Sequence, residues 1–337
     1  LGAVRRPAGA RVPWLGERIA RLRSEPPVSD DWLAEEVVDV AAAEALPNGN
    51  GSERGDEPLR TAGFRVREVA GGADRPTVLR AEGVTVRFSG LVAVDDASLV
   101  VREGTITGLI GPNGAGKTTL FNAILGLNEP TAGRITMFDR EVTGEPPHVR
   151  AKLGVARTFQ VLQLFTELTV FDNLLVATHL HNRSGLASNL VASQRTLTAE
   201  AASRRRVRRI LRLLELDHIA QQGVRGLSFG TLRMVELGRA LVTGARLIML
   251  DEPASGLNEA ETDRLSGVIG GLRELGLSVL LIEHDVRMVT GVCDHVYVLD
   301  QGRMIADGTS ADIQRDPRVI AAYLGEPAEP EPVKAGV

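Results

Sequence analysis

A glycine-rich stretch followed by a lysine and two hydroxyl side chains is the first feature of the sequence that could do chemistry. It reads GPNGAGKTT and matches the spacing G-x-x-x-x-G-K-[ST] of a phosphate-binding loop. Glycines at these positions let successive backbone N–H groups turn inward towards an anion. We therefore predict a site for nucleotide phosphates made by the residues of this stretch: Gly111, Pro112, Asn113, Gly114, Ala115, Gly116, Lys117, Thr118 and Thr119.

Two side chains of this loop have predicted roles of their own. Lys117 would place a mobile positive charge on the β- and γ-phosphates, and Thr118 would offer a hydroxyl to Mg²⁺. The loop follows the apolar run TITGLI and precedes the helical pattern LFNAILGL. A helix that begins near Lys117 would point the positive end of its dipole at the phosphates.

A pair of acids after a second apolar run could complete a hydrolytic site. In RLIMLDE the apolar residues predict a buried strand, and Asp251 lies at its carboxyl end, where parallel sheets bind ligands. Asp251 would hold Mg²⁺. Glu252 is then free to polarise an attacking water.

The elements that must position these residues indicate an α/β domain. Apolar runs that read as strands alternate with helical patterns after the phosphate loop, which predicts a mainly parallel sheet. Before the loop, residues from Val78 onward alternate apolar and polar side chains with glycine at the turns, which predicts short antiparallel strands. From about Val161 to Gly226 the sequence has no strand-like run, so we predict a helical insertion at about 161–235 within a domain spanning 78–326.

The two ends of the chain have a different composition. Residues 1–77 are rich in Pro, Gly, Ser and charge, which predicts a largely disordered extension or linker. Within it, DDWLAEEVVDVAAAEAL could form an amphipathic helix, either as a partner-docking element or as a transient helix. Residues 327–337 are predicted to be a disordered tail.

Composition excludes several classes of protein. The net charge of −4 and the pI near 6.0 give no reason to expect a nucleic-acid partner. Cys293 is the single cysteine, so no internal disulfide can form, which suits a reducing compartment. No run of about 18 apolar residues is present, so we expect no membrane-spanning helix. The phosphate loop and the acid pair by themselves indicate only an NTPase, so kinases, GTPases, helicases and transport ATPases all remain open.

From about Val78 to Glu326 the chain resembles the nucleotide-binding subunits of ABC transporters, whose motifs it matches in order. Phe88, 23 residues before Gly111, stands where the family has an aromatic residue that stacks on adenine. Gln160 in ARTFQ matches the glutamine that reaches the metal and the attacking water. His284 in LIEHDV matches the switch histidine that contacts the γ-phosphate.

The stretch LSFGTLRM resembles the family's signature, usually written LSGGQ. Leu227, Ser228 and Gly230 match, whereas Phe229 replaces the first glycine and Thr231 the glutamine. The resemblance implies that this motif acts in trans, on a nucleotide held by the phosphate loop of a second subunit. In SGLN, which occupies the place of the family's D-loop, asparagine stands where aspartate is usual.

Finer resemblance narrows the type of transporter. GLVAVDDASL, ARTFQVLQLFTELTVFDNLLVA, DEPASGLN and DPRVIAAYLGE are similar to the ATPases of branched-chain amino acid importers. ATPases for urea or short amides, and for lipopolysaccharide export, share part of this pattern. The resemblance implies ATP and Mg²⁺ as cofactors and ATP hydrolysis coupled to transport as the activity.

The same resemblance implies the partners and the location. We expect transmembrane permease subunits, a second ATPase subunit that is a copy or a related chain, and indirectly a substrate-binding protein. The chain would sit at the cytoplasmic face of the plasma membrane, held there by the permeases. One further hypothesis is that a permease domain precedes Leu1 in the full gene product.

Two functions of another class compete with transport. A soluble ABC protein acting on ribosomes or DNA usually has two ATPase cassettes or a long coiled coil, whereas this sequence has one phosphate loop and no extended heptads. A nucleotide-binding regulatory subunit without turnover would not need Glu252 and His284.

Overall fold

The computed structural model describes residues 75–158, 162–178 and 194–324. The predictions for residues 1–77 and 327–337 lie outside these ranges, apart from residues 75–77. Gln160 also lies outside the described residues.

The first half of the domain begins with an antiparallel sheet. Its strands are β1 (Thr77–Phe88), β2 (Leu91–Arg102), β4 (Ala132–Met137) and β5 (Arg140–Glu141), in the order β2-β1-β4-β5. Short strands were predicted here, but β1 and β2 each run for 12 residues. A two-residue turn joins them, with Ser89 and Gly90 at φ 43° and 96°, as in the turns that favour tight hairpins.

The second sheet has six strands and carries the predicted chemistry. Its members are β3 (Ile106–Ile110), β6 (Val155–Arg157), β7 (Leu247–Asp251), β8 (Ser278–Ile282), β9 (His295–Asp300) and β10 (Arg303–Gly308). The order is β10-β9-β3-β8-β7-β6. All neighbours pair in parallel except β10, which pairs antiparallel with β9. The predicted α/β fold with a mainly parallel core and an antiparallel β subdomain is confirmed.

Nine α-helices lie in the described residues. They are α1 (Lys117–Leu125), α2 (Pro147–Lys152), α3 (Val170–Ala177), α4 (Gln194–Leu213), α5 (Phe229–Val242), α6 (Glu259–Leu272), α7 (Val286–Val292), α8 (Ser310–Ile313) and α9 (Pro317–Leu324). Short 3₁₀ turns lie at Asp217–Ile219 and Arg273–Leu275.

The segment predicted to be a helical insertion contains α3, α4 and the start of α5. In its described residues the one β pairing is an isolated bridge between Thr169 and Gly223. The predicted boundary at 235 falls inside α5, which runs to Val242 without a break. The division into domains stays a prediction.

Two clusters of buried apolar side chains hold these layers together. One cluster lies between one face of the six-stranded sheet and the helices α3 to α6. The other fills the space between the opposite face of that sheet, α1 and the antiparallel sheet. Among the described residues, no helix is both long and apolar enough to cross a bilayer.

A buried arginine fixes the far end of α1. Arg150 is 1% exposed, and its guanidinium donates to the carbonyls of Ala123 and Ile124 in the last turn of α1 and of Val142 and Thr143 after β5. Burial lowers the pKa of Arg150 to about 10. The last carbonyls of a helix need such donors, so this contact anchors the helix that starts at the phosphate loop.

Candidate functional site

The predicted phosphate loop lies between β3 and α1, in the strand–loop–helix context that the motif requires. Gly111, Gly114 and Gly116 have φ values of 153°, 80° and 100°, which favour glycine over any residue with a Cβ. A Cβ on Gly111 would lie 1.9 Å from the carbonyl oxygen of Leu299 in β9. On Gly116 it would lie 2.4 Å from the carbonyl oxygen of Ala93 in β2. The backbone of each sheet therefore lies so close to the loop that only glycine fits at these two positions.

The lysine of the loop is held over it by backbone carbonyls. Lys117 is 5% exposed, and its Nζ donates to the carbonyl oxygens of Gly111 at 2.8 Å and Pro112 at 2.9 Å. Burial lowers the pKa of Lys117, and the nearby carboxylate of Glu252 partly offsets that shift. A buried ammonium with a lowered pKa gains from an anionic ligand, so the site is electrostatically prepared for phosphate.

The predicted metal ligand Asp251 ends β7, two strands away from the phosphate-loop strand β3. Its Oδ2 lies 3.9 Å from Nη2 of Arg157, and its buried Oδ1 accepts no hydrogen bond from the described residues. Burial raises the pKa of Asp251, and Arg157 opposes that shift. An unsatisfied buried carboxylate oxygen suits a hard cation that prefers oxygen ligands, so this residue fits Mg²⁺.

The predicted catalytic carboxylate has an unusual backbone. Glu252 has φ 44°, in the left-handed region that non-glycine residues seldom adopt and that is associated with functional sites. Its N–H donates to the carbonyl of Ile282 at 3.0 Å, which ties it to the end of the neighbouring strand β8. The turn that follows is closed by the N–H of Ser255, which donates to the carbonyl of Glu252 at 3.1 Å.

The predicted switch histidine follows β8, which lies between β3 and β7. The His284 side chain is exposed, with Nδ1 3.6 Å from Oε2 of Glu283. Since β8 separates the strand of the phosphate loop from the strand of Asp251, the fold brings Lys117, Asp251 and His284 to the same edge of the sheet.

The predicted adenine-stacking residue lies at the tip of the β1–β2 hairpin. Phe88 is 46% exposed, although most apolar side chains of β1 are buried. An exposed aromatic ring can stack on a base with little demand on sequence. Its accessibility therefore fits the predicted contact with adenine.

The signature lies at the start of α5. Ser228 is the N-cap of this helix, and its Oγ accepts the N–H of Thr231 at 3.2 Å. The Ser228 side chain is exposed. Gly230 is buried under the carboxylate of Glu261, whose Oε1 would lie 2.5 Å from a Cβ added at Gly230. A capped, exposed helix N-terminus can bind an anion, which agrees with the predicted role of Leu227, Ser228, Phe229 and Gly230.

The replacement of the signature's first glycine by Phe229 has a local structural explanation. Phe229 is 41% exposed, and its ring packs against Gly256. A Cβ added to Gly256 would lie 3.0 Å from Cε1 of this ring. The guanidinium carbon of Arg233 lies 5.2 Å from the centroid of the same ring. The aromatic ring therefore bridges the signature helix and the D-loop of the same chain.

The asparagine that replaces the family's aspartate in the D-loop is also explained by the local structure. Asn258 is the N-cap of α6, and its side chain accepts the N–H of Glu261 while that carboxylate accepts the N–H of Asn258. Asn and Asp cap helices about equally well. The replacement therefore preserves the local structure.

Two charged residues of the site were not predicted from the sequence. Arg157 lies beside Asp251, as described above, and Glu283 is fully buried beside His284. The available signals were an arginine at the end of a short strand-like run and an acid closing the apolar run SVLLIE. Neither pattern identifies a function without the spatial neighbours.

Comparison with known proteins places this geometry in a family. The model described as "ABC transporter" matches residues 94–255, and that described as "Branched-chain amino acid ATP-binding cassette transporter" matches residues 303–329.

Curated proteins and solved structures agree with these matches. The high-affinity branched-chain amino acid transport ATP-binding protein LivG of Salmonella typhimurium is 44% identical over 250 residues, which cover 74% of this chain and 98% of that protein. The lipopolysaccharide export system ATP-binding protein LptB of Escherichia coli is 35% identical, with 74% and 97% covered. The crystal structure of the ADP conformation of MJ1267, an ATP-binding cassette of an ABC transporter, matches with a TM-score of 0.65 and 32% identity, and covers 74% of this chain and 100% of that chain.

Proposed function

The chain belongs to the ATP-binding subunits of ABC transporters, which hydrolyse ATP, and on this premise we propose that it powers the import of branched-chain amino acids. The observation that carries the mechanism is the contrast between a complete phosphate loop and a signature whose serine is exposed. Lys117 in the loop and Asp251 at the end of β7 are buried, whereas Ser228 is exposed at the start of α5.

We propose that each chain supplies one half of two nucleotide sites. The phosphate loop of one chain would bind ATP, and the signature of a second ATPase subunit, a copy or a related chain, would close on its γ-phosphate. The capped N-terminus of α5 offers the hydroxyl of Ser228 and backbone N–H groups for this contact. ATP would thus join the two subunits.

The residues of one chain then have distinct tasks. Lys117 would neutralise the β- and γ-phosphates, and Phe88 would stack on adenine. Asp251 and the Thr118 hydroxyl would hold Mg²⁺, with Gln160 as a further ligand. When bound there, the ion would neutralise charge that develops on the phosphates.

Hydrolysis would be carried by two residues at the edge of the sheet. Glu252 would orient a water against the γ-phosphate and accept its proton, while His284 would contact the γ-phosphate. Glu252 has the left-handed backbone conformation, with φ 44°, that clusters at active sites. Loss of the γ-phosphate would remove the contact with the signature and reopen the pair.

The movement would reach the membrane through the permease subunits. ABC ATPase cassettes of transporters work with permeases, and we propose that the helical segment after Gln160 makes the contact at the cytoplasmic face. A substrate-binding protein would act on the opposite side and would not contact this chain.

The branched-chain cargo is proposed by analogy. Identity to the branched-chain amino acid ATPase is 44%, against 35% to the lipopolysaccharide export ATPase. The match at residues 303–329 to a branched-chain family supports the same choice. ATPase subunits do not bind the cargo, so urea or amide import and lipopolysaccharide export remain alternatives.

Turnover by the purified chain tests the catalytic proposal. Glu252→Gln should lower steady-state ATPase by about 100-fold or more, because the amide cannot accept a proton from water. The affinity for ATP should not fall. Unchanged turnover would remove Glu252 from its proposed role.

Transport tests the cargo. Uptake of labelled leucine into cells that lack the chain should return with the wild-type chain and not with Glu252→Gln. Restored uptake of urea without leucine would replace the cargo while leaving the ATPase assignment intact. Co-purification of permeases from native membranes would identify the partners.

A further inference from the structure

A buried carboxylate that the proposed mechanism does not use lies between the loops that carry Glu252 and His284. Glu283 directly follows β8, the strand between the phosphate-loop strand β3 and the Asp251 strand β7. It is 0% exposed. Such burial is costly for a carboxylate unless its oxygens are hydrogen-bonded, so its partners decide what it does.

The partners of Glu283 are backbone N–H groups from two loops. Oε1 accepts the N–H of Ala254 at 2.8 Å, two residues after Glu252. Oε2 accepts the N–H of His284 at 3.1 Å. Burial raises the pKa of Glu283, and the N–H groups of Ala254, His284 and Asp285 oppose that shift.

This geometry is unsuited to direct catalysis. Both oxygens of Glu283 are directed at backbone donors of the same chain, and the side chain has no accessible surface. A general base must be within hydrogen-bond reach of the water that it deprotonates. Glu252, which is partly exposed, is better placed for that task.

The carboxylate instead connects the two loops that follow β7 and β8, beyond the last paired residues Asp251 and Ile282. The N–H of Glu252 donates to the carbonyl of Ile282, so the chain just before Glu283 already supports Glu252. The bond from Ala254 to Glu283 adds a second fixed point on the other side of Glu252. The left-handed backbone of Glu252 is thus held from both sides by the end of β8.

We propose that Glu283 is a positioning residue that sets the alignment of Glu252 with His284. One carboxylate oxygen holds the loop after Glu252, and the other holds the backbone of His284. Rotation or loss of this carboxylate would let the two loops drift apart, and a displacement of about 1 Å can cost about 100-fold in rate. The inference rests on the proposed catalytic roles of Glu252 and His284.

Glu283→Gln separates positioning from packing. Glutamine has nearly the same volume but one carbonyl oxygen and one NH₂ group, so it can accept from one loop and not from both. We expect kcat for ATP hydrolysis to fall about tenfold. KM and the Kd for ATP should change less than about twofold, because the phosphate loop is untouched. Glu283→Met, which accepts from neither loop, should lower kcat further.

Asp294→Asn is the matched control. Asp294 also uses its carboxylate to hold backbone, accepting the N–H of Ile106 at 2.9 Å, and it accepts from Arg273 at 2.8 Å. It lies at the amino end of β3, opposite the end that leads into the phosphate loop. Each of the two variants loses a carboxylate acceptor of a backbone N–H, so we expect both to lower the unfolding midpoint. Only Glu283→Gln should lower kcat.

The outcomes distinguish this inference from the proposed function. A kcat of Glu283→Gln within about twofold of wild type, beside an inactive Glu252→Gln, would overturn the positioning role alone. Equal losses of kcat in Glu283→Gln and Asp294→Asn would reduce Glu283 to a residue of general stability. Full turnover in Glu252→Gln would contradict the proposed catalytic assignment itself. If Glu283→Met does not fold, Glu283→Gln and its control decide the question.

Discussion

The phosphate loop and the signature are both phosphate-binding motifs, yet their surroundings differ. In the loop, a Cβ on Gly111 or Gly116 would meet backbone oxygens of β9 or β2 within 2.4 Å, and Lys117 is buried. In the signature, Ser228 and Phe229 are exposed, and the ring of Phe229 stands where the family has a glycine.

The difference shows where each motif is constrained. The phosphate loop is fixed by the backbone of its own chain, so its sequence matches the family pattern at every fixed position. The exposed part of the signature contacts its own chain through side chains, namely the Ser228 cap and the ring of Phe229 against Gly256 and Arg233. In the proposed function, the rest of the signature sequence is constrained by contact with a second subunit. Replacements such as Phe229 are then tolerated as long as Ser228 stays exposed.

Loss of the loop's lysine should have the largest effect. Lys117→Met should lower ATP affinity and turnover by about 100-fold or more, since one preorganised donor to a charged transition state is removed. Folding already disfavours the charged ammonium, because burial lowers the pKa of Lys117. Methionine also leaves the carbonyls of Gly111 and Pro112 without the Nζ donor. Since the two effects oppose each other, the unfolding midpoint should change little. Thermal unfolding and binding of a fluorescent ATP analogue would measure both, and a marked loss of stability would contradict this reading of the loop.

Loss of the signature's hydroxyl should separate binding from turnover. Ser228→Ala should lower turnover about tenfold, given the free energy of one hydrogen bond to a charged group. ATP binding to the dilute chain should be unchanged. The lost cap should lower the free energy of unfolding by about 1 kcal/mol.

A second cap controls for that destabilisation. Thr169 caps α3 with the same kind of hydroxyl contact, accepting the N–H of Asp172. Thr169→Ala should lose similar stability and retain its turnover. Equal losses of turnover in both variants would assign the effect of Ser228→Ala to the fold.

Restoring the family's glycine at 229 should have a modest effect. Phe229→Gly loses the contact with Gly256 and the cation–π contact with Arg233, and it places glycine in the first turn of α5. We expect a loss of about 1–2 kcal/mol in the free energy of unfolding and turnover within about threefold of wild type. Denaturant unfolding with parallel ATPase assays would check this. A loss of turnover as large as that of Ser228→Ala would make the ring part of the phosphate site.

Restoring the family's aspartate at 258 should have the smallest effect. Asn258→Asp exchanges two good N-caps, so stability should change by less than about 0.5 kcal/mol and turnover by less than about twofold. The same two assays apply. A large gain in turnover would show that the D-loop of this chain is tuned by the asparagine.

The phosphate loop could be predicted from the sequence more completely than the ends of β1 and α5 or the contacts of Glu283. Residue type and spacing predicted the places of the phosphate loop, between a strand and a helix, and of Asp251, at a strand end, because local backbone geometry determines them; their roles stay predictions. The length of β1 and the end of α5 at Val242 were not foreseen, because pairing and packing set them. Glu283 was missed because its role depends on Ala254, which is 29 residues away in sequence.

The mass of the chain in solution tests the central claim, that the signature completes a site on another subunit, most directly. With Mg²⁺ and ATP, Glu252→Gln should form a dimer of twice 36.1 kDa, seen by gel filtration with light scattering. Adding Ser228→Ala to that variant should return it to the monomer with ATP still bound. The same ATP-dependent dimer in the double variant would contradict the account, and a Glu252→Gln chain that stays monomeric would exclude a second copy as the partner.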